Sequence, residues 1–116
     1  MNEVIDGNIS NVIKDYKIIM NCDDYYKVWP PAMELSVYIE MVYSGKLDNH
    51  MADLVRIGST TMTVYNVINV ALSTFIAQHE HTRTGDPVFD SVKQTAINYF
   101  GDSLYYLNLE LGTEYE

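Results

Sequence analysis

Residues 57–79 form a stretch of 23 residues without a single Asp, Glu, Lys or Arg, although charged residues make up 20% of the chain. A helix that carries no charge on any side is not expected on a solvated surface. Such a helix must be covered by the rest of the chain, by a second copy or by a partner. This stretch therefore predicts where the hydrophobic core lies.

The same stretch is long enough to span a bilayer, but its composition argues against a membrane span. Desolvating many hydrogen-bonding groups in hydrocarbon would be costly. Ten of its residues are polar or break helices: Gly58, Ser59, Thr60, Thr61, Thr63, Asn66, Asn69, Ser73, Thr74 and Gln78. We therefore expect a core segment and no contact with a membrane.

Length and composition predict a single domain over residues 1–116. The chain is 47% hydrophobic and has no low-complexity block or Pro/Ser-rich linker that would divide it. Its only cysteine is Cys22, so no internal disulfide can form. The first six residues lack the basic start and apolar run of a signal peptide. These features predict a cytoplasmic protein.

Apolar spacing predicts an all-α fold, a compact bundle of five or six helices. Between Val4 and Met20, apolar residues recur every three or four positions, which indicates a first helix, with a short strand as the alternative. Pro30 and Pro31 suit the first turn of a second helix that ends near Gly45. Asp48 can cap a short third helix up to Ile57.

The predicted bundle surrounds a central uncharged helix over about 60–82. Asp86 and Pro87 then provide an N-cap and a first helical position for a fifth helix, which Gly101 should end. A sixth helix would run from Leu104 to about Leu111. The alternative is a short C-terminal strand over residues 105–111, where polar and apolar residues alternate in the second half.

The central helix has two different sides. At 100° per residue, one side is apolar and comprises Val64, Ile68, Ala71, Leu72 and Phe75. The other side is polar yet uncharged and comprises Thr63, Asn66, Asn69 and Ser73. A surface that lacks charged side chains but keeps hydrogen-bonding groups is typical of an interface. We expect this side to be covered within the monomer, to form a homodimer, or to line a ligand pocket, and we predict it as the self-association face.

Acidic residues outnumber basic residues by 16 to 7, for a net charge of −9. This charge opposes direct binding to nucleic acid and to anionic lipid, and it favours basic protein surfaces. No Lys or Arg follows Lys93. We therefore predict a partner-binding surface at the C-terminal end, composed of Asp102, Glu110, Glu114, Glu116, Tyr105 and Tyr106. The alternative is a solvated acidic tail.

Aromatic residues add a second feature of binding proteins. The chain has ten tyrosines and one tryptophan, Trp29, which stands just before the two prolines. Trp29 either packs as a hydrophobic staple at a helix start or lies exposed as an anchor for a partner. Tyrosine, tryptophan and methionine on an acidic background resemble a binding surface more than a reaction site.

Sequence motifs for catalysis are absent. The chain has no Walker loop, dinucleotide fingerprint, paired-cysteine zinc spacing or serine nucleophile elbow. On a helix, His79 and His81 would point in nearly opposite directions, so they cannot share one metal ion. The carboxylate pairs of small magnesium-dependent hydrolases are not present. We therefore predict no catalytic residue, no metal and no cofactor.

We predict a non-enzymatic interaction protein that binds another protein to inhibit or modulate it. A nucleic-acid enzyme is the expected target, because an acidic surface can occupy its basic site and mimic DNA. Small acidic chains of this kind are common in phages and mobile elements, which is an association by type. Two alternatives remain: a small all-α hydrolase that uses carboxylates such as Glu34, Glu40 and Asp53 with magnesium, and a structural subunit of a larger assembly.

Overall fold

Four α-helices and one β-hairpin make up the part of the chain that the computed structural model describes, which is residues 2–111 for the backbone and residues 8–109 for the side chains. In chain order these are α1 Asn2–Met20, α2 Tyr25–Tyr43, β1 Leu54–Ile57, β2 Thr60–Thr63, α3 Val64–His79 and α4 Pro87–Tyr106. A π-helical turn, Leu107–Leu111, continues α4. The fold is mostly helical, as predicted, but the β-hairpin departs from the predicted all-α class. The helix α1 excludes the strand alternative near the N-terminus.

The helix α2 begins five residues before the predicted start. Asp24 is its N-cap, and its carboxylate accepts a hydrogen bond from the backbone N–H of Tyr26 at 3.0 Å. Pro30 and Pro31 lie inside the helix rather than in its first turn. A capping carboxylate accepts a hydrogen bond from an N–H group that the helix leaves unpaired, so Asp24 determines where α2 begins.

The predicted short helix between Asp48 and Ile57 is wrong, because a β-hairpin forms there. Strands β1 and β2 pair antiparallel, with Ile57 opposite Thr60. Gly58 occupies the two-residue turn with φ of 64°, a conformation that glycine adopts at little cost. The strands are rich in β-branched side chains, which favour extended backbone.

The uncharged stretch, residues 57–79, therefore contains the turn and second strand of the hairpin, followed by the helix α3. The helix α3 begins at Val64 and ends at His79, so the prediction of one helix over about 60–82 is wrong at both ends. Thr63 is its N-cap and accepts a hydrogen bond from the backbone N–H of Asn66. All five residues of the predicted apolar side are fully buried: Val64, Ile68, Ala71, Leu72 and Phe75. The helix packs against α1, α2 and α4.

The prediction of five or six helices is wrong, because α4 passes through Gly101 without a break. One glycine inside a helix costs only about 1 kcal/mol relative to alanine. Phe100 and Leu107, on either side of Gly101, are both buried in the core, and this burial outweighs that cost. The strand alternative over residues 105–111 is also wrong, since this segment is helical.

Ring contacts show how the helices run. Tyr26 lies 5.4 Å from Phe89, so the N-terminal ends of α2 and α4 meet. Tyr43 lies 5.3 Å from Tyr106, so their C-terminal ends meet as well. The helices α2 and α4 are therefore parallel. Across residues 2–111, no helix is long and apolar enough to cross a membrane.

Candidate functional site

A groove lies between α2 and α4, with a volume of about 800 Å³. Its wall on α2 consists of Tyr25, Tyr26, Trp29 and Met33. Its wall on α4 consists of Phe89, Val92, Thr95, Ala96 and Tyr99. Eight of these nine side chains are aromatic or aliphatic, and the groove belongs to the size range of ligand and partner sites. We call it the α2–α4 groove.

Helical spacing explains why these side chains face each other. On α2, Tyr26, Trp29 and Met33 follow one another at intervals of three and four residues, so they lie on one side of the helix. On α4, Val92, Ala96 and Tyr99 do the same. Because α2 and α4 are parallel, the two apolar stripes run side by side along their length.

Several groove residues are unusually accessible for their type. Tyr26 is 71% exposed and Val92 is 62% exposed, whereas Trp29 is half-buried. Val88, one turn before Val92, is 73% exposed. Single exposed apolar residues are common on proteins, but a contiguous set around a concave surface marks an interaction site.

The floor of the groove is held by packed rings. Tyr25 contacts Phe75 and His79 of α3 at centroid distances of 5.8 and 5.5 Å. Lys93 is buried beside these rings, and its ammonium group donates a hydrogen bond to the carbonyl of Thr82. Burial, followed by the charge of Lys93, lowers the pKa of His79, so this imidazole is neutral near pH 7. The groove is thus formed before any partner binds.

The C-terminal end of the groove is acidic. The Tyr99 hydroxyl donates a hydrogen bond to the Glu40 carboxylate, and burial together with Glu40 raises the pKa of Tyr99 to about 12. Beyond Tyr99 lies a second cavity of about 350 Å³, lined in part by Glu40, Tyr43, Asp102 and Tyr106. The C-terminal end of α2 lies here, and its dipole adds negative potential to the two carboxylates.

The predicted partner-binding surface falls partly at this acidic end. Asp102, Tyr105 and Tyr106 are exposed on the last turns of α4. Tyr106 and Asp102 line the second cavity, and the ring of Tyr105 lies 5.9 Å from that of Tyr106. The side chain of Glu110, and Glu114 and Glu116 entirely, lie outside the described residues.

The predicted self-association face is partly engaged within the chain. The amide of Asn69 donates to Asn108 Oδ1 at 3.1 Å and to the Tyr65 hydroxyl at 3.3 Å. Ser73 donates to Asn69 Oδ1, and Thr63 caps α3. Asn66 is exposed. These bonds favour the alternative in which this side of α3 is covered within the monomer, and self-association through it stays a prediction.

The acids considered for a hydrolase make three separate contacts. Glu34 hydrogen-bonds to Asp15, Glu40 accepts from Tyr99, and Asp53 lies 2.9 Å from His50. Among the residues with described side chains, no group of three or more His, Cys, Asp or Glu side chains is placed to hold a metal ion. The structure therefore does not bring these acids together.

Of the groove residues, the sequence predicts only Trp29 as a candidate anchor. Their helical spacing was visible in the sequence, but an apolar stripe has the same pattern whether it faces the core or solvent. Comparison of the chain with models of known protein families, with curated proteins and with solved structures finds no match.

Proposed function

We propose that this chain is a protein-binding protein whose α2–α4 groove receives an amphipathic helix of a partner, with basic residues of that helix next to the acidic end. The observation that carries the proposal is the exposed aromatic and aliphatic lining of a groove formed before binding. By binding a functional helix or basic site of the partner, the chain would inhibit or modulate that partner.

The shape of the groove supports a helical ligand. The groove wall on α4 runs from Phe89 to Tyr99, about 15 Å at 1.5 Å per residue, so a partner helix of about 15 residues, about 22 Å long, would cover its full length. Helices bind such grooves through apolar side chains at i, i+3, i+4 and i+7. Tyrosine and tryptophan supply much of the binding energy when they form the centre of an interface, as Tyr26 and Trp29 would here.

Charge supports a basic partner over a second copy. The chain has a net charge of −9, and Glu40 and Asp102 lie at one end of the groove. Two copies that met through this face would bring like charges together, whereas a basic helix would complement them. Nucleic-acid enzymes carry basic surfaces of this kind, and the phosphates of nucleic acid itself would be repelled.

Trp29 provides a direct assay, because it is the only tryptophan and it lines the groove. The probes are two synthetic 15-residue helical peptides with the same leucine face, one with lysines flanking it and one with glutamates at those positions. We expect the lysine peptide to change the Trp29 emission and to bind more weakly as salt rises from about 50 to 500 mM. The glutamate peptide should bind much more weakly.

Two variants locate the binding energy. Tyr26→Ala should weaken binding of the lysine peptide by about 1–2 kcal/mol, or about 5- to 30-fold in Kd. Val92→Glu should weaken it at least as much, because it places a charge in the apolar wall. The matched control is Leu54→Glu on β1, which is 68% exposed and does not line the groove. Equal binding of both peptides, or equal losses in Leu54→Glu and Val92→Glu, would contradict the proposal.

A further inference from the structure

The cavity beyond Tyr99, where α2 ends, combines aromatic rings with carboxylates. Its volume is about 350 Å³, and its lining includes three tyrosines and two acids: Tyr43, Tyr99, Tyr106, Glu40 and Asp102. Helical spacing brings these side chains to one place. Glu40 and Tyr43 are three positions apart on α2, and Tyr99, Asp102 and Tyr106 follow one another at intervals of three and four on α4. Rings and carboxylates in one cavity are the groups that recognise an organic cation.

The two carboxylates of this cavity have no basic partner among the described side chains. The only ion pairs between those side chains involve histidines, and neither Glu40 nor Asp102 takes part in them. Glu40 instead accepts a hydrogen bond from the Tyr99 hydroxyl. A carboxylate can accept about four hydrogen bonds, so Glu40 keeps acceptor capacity for a ligand. The negative charge of the cavity is therefore available to a cation from outside the chain.

The aromatic wall of the cavity is held in place by contacts within the chain. The rings of Tyr43 and Tyr106 lie 5.3 Å apart, with 35° between their planes. Tyr43 is nevertheless 50% exposed and Tyr106 is 45% exposed, so each ring keeps surface that a ligand can contact. The hydrogen bond to Glu40 fixes the third ring, Tyr99. The rings are thus an observation independent of the two acids, and they favour the same class of ligand.

We infer that this cavity receives the guanidinium group of an arginine side chain, which lies against the tyrosine rings and donates hydrogen bonds to Glu40 and Asp102. A guanidinium group is planar, stacks on aromatic rings and is more weakly hydrated than the ammonium group of lysine, so it loses less on entering a cavity lined by rings. In the complex proposed above, the arginine belongs to the partner helix, and this assignment rests on the proposed function. The cavity itself can be tested without that helix.

The test titrates the intact chain with Nα-acetyl-arginine methylamide and follows the backbone amides by NMR. The citrulline counterpart replaces the guanidinium group by a neutral urea of the same shape, and the lysine counterpart replaces it by an ammonium group. We expect the arginine probe to bind with a Kd below about 10 mM and to shift the amides around Glu40, Tyr43 and Tyr106. The lysine probe should bind about threefold more weakly, and the citrulline probe at least about tenfold more weakly. Free L-arginine should bind no more tightly than the capped probe, because the cavity recognises the side chain alone.

Three variants separate the contributions of charge and ring. Glu40→Gln keeps an acceptor for the Tyr99 hydroxyl but removes the charge, and Asp102→Asn does the same for the second acid. Each should weaken binding of the arginine probe by about threefold to tenfold. Tyr43→Leu keeps an apolar side chain but removes the ring, and it should cost about twofold to thirtyfold. The matched control is Asp48→Asn, an exposed acid outside the cavity, which should change nothing.

Five outcomes would overturn the inference: equal binding of the arginine and citrulline probes, equal binding of the arginine and lysine probes, tighter binding of free L-arginine, unchanged affinity in the cavity variants, or no binding of the arginine probe. The groove is assayed separately with Tyr26→Ala, which should weaken the helical peptide and leave the arginine probe unaffected. A helical peptide that fails to bind while the arginine probe still binds would refute the proposed function and leave the cavity assigned. The opposite result would refute the cavity alone.

Discussion

Asp15→Asn should change how the stability of the folded chain depends on pH. Asp15 is buried against Glu34, and its pKa is raised from 3.8 to about 8. The folded chain therefore keeps a proton that the unfolded chain releases above about pH 4. Because the native state binds more protons over this range, the free energy of unfolding contributed by Asp15 falls as the pH rises from about 4 to about 8.

The magnitude follows from the shift of about four pKa units. At about 1.4 kcal/mol per unit, ionisation of Asp15 in the folded state would remove at most about 6 kcal/mol of stability above pH 8. Entry of water and relaxation of the surrounding side chains relieve part of this loss. We expect Asp15→Asn to match the wild type within about 1 kcal/mol at pH 5 and to exceed it by about 2–5 kcal/mol at pH 9.

The assay is urea denaturation of both proteins at pH 5, 7 and 9, followed by circular dichroism. His79 contributes with the opposite sign, since its lowered pKa makes stability rise as the pH increases through its titration range. This term is present in both proteins and cancels in the difference between them. Asp48→Asn is the control for loss of one exposed carboxylate. Parallel stability curves for Asp15→Asn and the wild type over this pH range would refute the reasoning.

The remaining predictions concern packing, capping and assembly. Phe75→Ala should cost about 3–5 kcal/mol in urea denaturation, because Phe75 is fully buried against Phe100; a loss below about 1 kcal/mol would contradict the described core. Asp86→Ala should cost about 1 kcal/mol, since its carboxylate accepts from two backbone N–H groups of α4, and an unchanged midpoint would exclude that cap. If the polar side of α3 self-associates, sedimentation at several concentrations should show a homodimer, and Asn66→Arg should dissociate it. A monomer at all concentrations would exclude self-association through this side.

The sequence predicted those features that depend on local spacing and on the solvation of charge. A helix over most of residues 60–82, its buried apolar side and the N-cap at Asp86 follow from neighbours a few positions apart. The hairpin was missed because the turn conformation of Gly58 competes with an equally plausible helix stop. The continuity of α4 through Gly101 was missed because burial of Phe100 and Leu107 outweighs a local preference.

The candidate sites depended on contacts that no local pattern contains. The spacing of Tyr26, Trp29 and Met33 shows that they share one side of a helix, but not whether that side meets the core or water. Only the parallel packing of α2 and α4 makes their lining a groove. In the same way, Asp15 and Glu34 are 19 positions apart, and Glu34 acts on the Asp15 carboxyl only when α1 packs against α2.

The sequence alone determined the overall acidity, the mostly helical class and the buried side of α3, because charge counts and helical periodicity are properties of the chain itself. Tertiary structure decided which apolar stripe stays exposed, where the acids gather and which carboxyl keeps a proton. These properties depend on the desolvation of one side chain by others distant in sequence, and that desolvation exists only once the helices have packed.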